Sequence, residues 1–205
     1  MINTKKTRAL FATAALVIAG AAQAGPVYIH DINMEVREST YSVTGLETVP
    51  SILAEFGGGN LVCNVGLAEV NLVGSVQTCG GPNGDIATLI TIDFSQSSNT
   101  HWQIGPDWGR GGMIWRQDAT SYVDDYWWGQ NWNNTGEVIT YQTGGSGVLS
   151  FLGFEGCCGG PMSIRYSSDQ GNSWTTAAVN VSEPGTLALL GLGLLAMGAR
   201  RRAKS

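Results

Sequence analysis

The residues of this chain best suited to chemistry lie between Trp102 and Asn134. Six of the seven tryptophans fall there: Trp102, Trp108, Trp115, Trp127, Trp128 and Trp132. Between them lie Asp107, Arg110, Asp118, Asp124, Asp125, Gln130, Asn131, Asn133 and Asn134. Indole faces stack on the C–H faces of sugars while carboxylates and amides read hydroxyls, so the stretch has the makings of a glycan-contacting surface. The candidates are Trp108, Trp127, Trp128 and Trp132 with Asp124 and Asp125. Tryptophans also fill β-sandwich cores, and Trp115, on a predicted strand, fits that use. If Trp127 and Trp128 are extended, one points inward and the other outward. No cofactor is indicated apart from calcium, whose oxygen ligands could come from Asn83, Asp85, Asp124 and Asp125, although none of these has the regular spacing of an EF-hand.

Catalytic residues are scarce. The chain has two histidines, His30 and His101. There is no Gly-x-Ser-x-Gly elbow, His-Glu-x-x-His pair, P-loop or dinucleotide fingerprint. On a strand, Asp124 and Asp125 would point to opposite faces, which suits neither acid–base partnership nor glycoside hydrolysis. The reading is not an enzyme, with a secreted hydrolase as the distant alternative.

Four cysteines suit a compartment in which disulfides persist. Cys63 and Cys79 flank an apparent hairpin, and Cys157 and Cys158 are adjacent. Neighbouring cysteines bond only through a strained peptide, which favours Cys63 and Cys79 each joining one member of the pair. Two local bonds are the alternative. Neither pair has metal-ligand spacing with a nearby histidine.

The elements that must carry these residues read as strands. Ile32, Met34 and Val36 alternate with polar residues, and Tyr41–Thr44 could pair back onto them. Ser51–Phe56 fits one helical turn before the glycines at 57–59. Ile86, Thr88, Ile90, Ile92 and Phe94 share one face of the clearest strand. Further strands fall at Met113–Trp115, Val138–Tyr141 and Val148–Phe154, and a hairpin pairs Met162–Tyr166 with Trp174–Val179. Short strands at this spacing between turn residues predict a single all-β domain of the sandwich or jelly-roll kind. The turn of the last hairpin, Ser167-Ser168-Asp169-Gln170-Gly171-Asn172-Ser173-Trp174, resembles the Asp box of sialidase propellers. Those boxes repeat and accompany an arginine cluster, so a single box here implies a hairpin staple.

Residues 25–181 form the passenger between two targeting ends. Residues 1–24 read as a secretory signal, with Lys5, Lys6 and Arg8 before an apolar core and Ala22-Gln23-Ala24 as the cleavage site. The passenger holds four arginines and no lysine against fifteen Asp and Glu, a formal net charge of −11. That disfavours nucleic acid and anionic lipid as partners. At the other end, residues 182–205 comprise Ser182-Glu183-Pro184, an uncharged apolar run from Thr186 to Ala199, and Arg200, Arg201 and Arg202. Fourteen helical residues reach about 21 Å, and with Pro184, Gly185 and snorkelling arginines the segment becomes a short transmembrane helix.

This tail resembles the PEP-CTERM sorting signal of Gram-negative bacteria, with Ser182 where the family has its first proline. The Cys-Cys-x-Gly element resembles one found in a subgroup of these proteins. The resemblance implies Sec export, an inner-membrane intermediate, cleavage by an exosortase and a cell-surface or extracellular-matrix destination. It also implies association with exopolysaccharide and biofilm. The expected function is therefore a non-catalytic surface or matrix protein, with a glycan-binding module built on residues 102–134 as the alternative.

Overall fold

The structure is a computed structural model. It describes residues 26–180 apart from 98, 117, 118, 124, 125 and 158, and describes the backbone alone at 119–123. The signal segment, the sorting tail with Ser182, Glu183, Pro184, Arg200, Arg201 and Arg202, and the residues Asp118, Asp124, Asp125 and Cys158 lie outside it. No helix among the described residues is long and apolar enough to cross a membrane.

The domain is all-β. Its elements in order are β1 (Val27–Glu38), α1 (Val49–Gly57), β2 (Leu61–Gly66), α2 (Ser75–Cys79), β3 (Ile86–Gln96), β4 (Thr100–Gly105) and β5 (Asp107–Trp108). There follow β6 (Gly112–Arg116), β7 (Ala119–Val123), β8 (Tyr126–Trp127), β9 (Ile139–Thr143), β10 (Gly147–Glu155), β11 (Ser163–Ser167) and β12 (Thr175–Thr176). They form a six-stranded sheet in the order β2-β1-β3-β10-β6-β7 and a four-stranded sheet in the order β12-β11-β4-β9. A two-stranded ribbon pairs β5 with β8. The strands pair antiparallel.

Period-2 patterning makes this a sandwich. Ile32, Met34 and Val36 of β1 lie opposite Ile92, Ile90 and Thr88 of β3, and Leu149 and Phe151 of β10 continue the same face. That face meets Trp102 and Ile104 of β4 and Ile164 of β11 in one buried cluster. The opposite face of the six-stranded sheet carries Ala87, Met113, Trp115, Leu152 and Phe154, and α1 covers them with Ile52 and Phe56. Thr48 and Ser51 start α1 with a reciprocal capping box, and proline in its first turn suits the helix start.

Two expectations change. Tyr41–Thr44 does not pair with β1, because that strand already has β2 on one edge and β3 on the other. The segment instead folds into a loop around Glu47, which accepts hydrogen bonds from the Tyr41 hydroxyl (2.6 Å), the Thr44 amide (2.7 Å), the Thr44 hydroxyl (2.8 Å) and the Gly45 amide (2.9 Å). The favoured cross-pairing of cysteines is also overturned. Cys63 of β2 is bonded to Cys79 of α2, with 5.7 Å between their Cα atoms. The intervening turns return the chain to β2 within sixteen residues, so the local partner is the one in reach. Cys157 is oxidised as well.

Candidate functional site

The solvent face of the four-stranded sheet gathers the planar and polar side chains of the domain. Alternation along β4 buries Trp102 and Ile104 and turns His101 and Gln103 outward, leaving Gly105 on the same outer row. In register beside them stand Gln142 and Thr140 of β9, and Arg165 and Ser167 of β11. Gln103 Oε1 accepts hydrogen bonds from Arg165 Nε (2.8 Å) and Nη2 (2.6 Å). Gln142 meets the His101 ring nitrogen at 3.4 Å. The Arg165 guanidinium lies over two indoles, 4.2 Å from the ring centre of Trp132 and 4.9 Å from that of Trp174. Burial pulls its pKa below the ordinary arginine value.

The aromatic row has two anchors. At one end Trp128 covers Gly105, where a Cβ would stand 2.2 Å from the indole, and Trp132 tilts against it with 4.6 Å between ring centres. At the other end the Asp-box turn holds Trp174. Ser167 Oγ donates to Asp169 (2.6 Å) and accepts from the Gly171 amide (2.7 Å). Asp169 also receives the Ser173 amide (2.9 Å) and hydroxyl (2.5 Å). The hydrogen bonds from Ser167 and then Ser173 hold the Asp169 carboxyl down at about 2. Gln170 and Gly171 take positive φ of 62° and 91° at the tip. The hairpin staple read from the sequence is thus in place, and it also delivers an indole to the sheet face.

The nominated tryptophans separate. Trp108 is 1% exposed and lies over Gly112 and Gly153, so it is a core residue and not a sugar platform. Trp128, 7% exposed, is likewise too buried to stack on a ligand and serves as a support. Trp127 is half exposed and rests on Gly109, as expected for the neighbour of an inward-facing residue. Trp132 alone of the four joins the row with Arg165. The residues that sequence reasoning missed are Gln103, Gln142, Arg165 and Trp174. Gln103, Gln142 and Arg165 sit on polar alternations too short to signal a shared face before the strand order is known, and Trp174 was read only as part of the Asp-box turn.

Two other places hold chemistry-bearing groups. Buried Asp107 and Glu155 approach one another near Gly160, whose Cα hydrogen points at the Asp107 carboxylate. Glu155 is only 6% exposed, and burial, reinforced by Asp107, pushes its pKa up to about 8 against an opposing hydrogen bond from the Gly160 amide. Near the end of β1, a cavity of about 710 Å³ is lined by Glu38, Tyr41, Glu55, Asn60 and Asp85, among others. Asp85, one of the calcium candidates, is ion-paired to Arg110 at 2.7 Å. Among the described residues no group of three or more His, Cys, Asp or Glu is gathered as for a metal.

The fold and site define an all-β sandwich with an open polar and aromatic sheet face. Residues 180–202 match the PEP-CTERM protein-sorting motif. That motif implies an exported surface protein that passes through a membrane-anchored intermediate and is processed by an exosortase. No curated protein matches the chain. Among solved structures, the crystal structure of the PA14 domain of MpAFP antifreeze protein is similar, with 8% identity and a TM-score of 0.45 over 75% of this chain and 89% of that one.

Proposed function

We propose that this is a non-catalytic surface or matrix protein whose four-stranded sheet face holds exopolysaccharide after sorting. One observation carries the reading: the solvent face of that sheet aligns His101, Gln103, Gln142 and Arg165 beside Trp132 and Trp174. A flat surface of amides, imidazole and guanidinium flanked by indoles suits an extended sugar chain, whose hydroxyls need planar partners and whose C–H faces need aromatic ones. The strands of this sheet carry no carboxylate. They therefore lack the acid pair that glycoside hydrolysis commonly uses, which favours holding over cleaving.

The test is retention of the mature protein on the host's own exopolysaccharide, with and without a calcium chelator. Trp132→Ala and Gln142→Ala should each weaken retention by about tenfold while the fold persists. Trp127→Ala, off this face, should be retained like the wild type. Absent retention of the wild type, or unchanged retention of both face variants, would overturn the reading. A loss on chelation would assign calcium a part, and release of reducing ends from the polymer would reopen the hydrolase.

A further inference from the structure

Charge is unevenly spread over the two sheets. The six-stranded sheet carries Asp31, Glu35, Glu38, Asp93 and Glu155 on its strands. The four strands of the other sheet, THWQIG, ITYQT, SIRYS and TT, hold no acidic residue and one arginine. In a passenger with fifteen acids and four arginines, this is a local reversal of the overall sign.

Arg165 is one of two arginines with no ion pair among the described residues, and the one that lies against indoles. Arg37 is paired with Glu35 and Arg110 with Asp85, and Arg116 donates to the Ser146 carbonyl at 2.8 Å. Arg165 has no carboxylate within ion-pairing distance among the described residues. Its neutral partner, Gln103 Oε1, takes Nε and one Nη2 hydrogen, and the rings of Trp132 and Trp174 lie against the guanidinium. The nearest acid in sequence, Asp169, is already occupied by Ser167 and Ser173. Among the described residues, nothing accepts a hydrogen bond from Nη1. A partly buried, oriented guanidinium with no carboxylate partner among the described residues is suited to receive one.

Resting on the glycan-binding reading above, we infer that Arg165 makes this face selective for acidic sugars, binding the carboxylate of a uronate residue while Trp132 and Trp174 flank the ring. The net charge of −11 opposes long-range approach of a polyanion, so selectivity comes from short-range contact at one acid-free face.

The experiment is affinity electrophoresis of the mature protein in gels containing polygalacturonate, its fully methyl-esterified form or carboxyl-reduced polygalacturonate. The wild type should be retarded by the acid polymer at least about tenfold more strongly than by either neutral form. Arg165→Gln should lose that preference, and Arg165→Lys should keep only part of it, since an ammonium is a point charge without the planar fork. Equal retardation by the acid and neutral polymers, or an unchanged preference in Arg165→Gln, would overturn the inference. If Arg165→Gln does not fold, the comparison of polymers with the wild type decides alone. A wild type that ignores all three polymers overturns the uronate assignment, and its retention on host exopolysaccharide then shows separately whether the broader reading stands.

Discussion

Glu47 and Glu155 are both buried carboxylates, and their surroundings drive them in opposite directions. Burial works against ionised Glu47, yet the hydrogen bonds from Tyr41 and Thr44 outweigh it and hold the pKa at about 2. Its contribution to stability is therefore complete above the ordinary value near 4.5 and is lost as pH falls through about 2. Glu47→Gln should lower stability by about 1–3 kcal/mol at neutral pH. The difference from wild type, followed by thermal melts, should close towards pH 2. Glu155 is the reverse case, since its folded pKa of about 8 lies above that of the unfolded chain. Above pH about 4.5 the unfolded state ionises while the fold keeps the proton. Stability from this group thus declines as pH rises to about 8 and is flat beyond. Glu155→Gln should leave melting unchanged below pH 4.5. Its melting temperature should rise above wild type between pH 5 and 8, by an amount equivalent to about 1 kcal/mol or more. A constant difference at all pH values would deny the proton-holding role.

At the scale of elements, the periodicities that were legible are those with a single buried face. Ile86–Phe94 alternates because Ile86, Ile90, Ile92 and Phe94 face the core between the sheets while Thr91 and Asp93 turn away from it, and the structure extends the strand to Gln96. The turn at Asp169 was legible because its bonds are local. Trp115 as a core residue and the inward–outward split of Trp128 and Trp127 were legible, but neither the cysteine pairing nor the roles of Trp108 and Trp132 could be read, since these depend on which strands become neighbours. Trp108 illustrates the point. Its indole is accommodated only because Gly112 of β6 and Gly153 of β10 leave room on two strands that are remote in sequence. A Cβ on Gly153 would stand 1.9 Å from the ring. Gly153→Ala should cost about 1–3 kcal/mol by overpacking, with a matching shift in tryptophan fluorescence. The Cys63–Cys79 bond ties edge strand β2 to α2. Opening so short a loop by Cys79→Ser should cost about 2–4 kcal/mol of stability, read by denaturant titration. Peptide mapping without reduction should recover Cys63 and Cys79 in one linked fragment, and a Cys63–Cys157 fragment would contradict the fold.

For the molecule as a whole, the two ends of the sandwich meet. The Ile29 amide donates to the Asn180 side chain, and the Asn180 amide donates back to the Ile29 carbonyl at 2.9 Å. Val179 is also fixed, its amide bonding the Ala68 carbonyl at 2.8 Å. Asn180, the last residue the structure describes, is also the first residue of the matched sorting motif. The expectation that follows is that folding and sorting divide at this position. Neutral replacements of Arg200, Arg201 and Arg202 should leave the melting temperature of the exported passenger at its wild-type value. They should abolish retention in the membrane and the later cleavage, because the positive cluster that stops transfer is gone. Asn180→Ala should do the opposite. Loss of the clasp would leave the Ile29 amide unpartnered at a cost of about 1 kcal/mol, while the tail keeps its apolar run and its arginines. Pulse-chase fractionation together with thermal melts of both variants measures this separation. A tail variant that melts early, or an Asn180→Ala protein that folds with wild-type stability but is no longer processed, would show that the motif and the sandwich act as one unit.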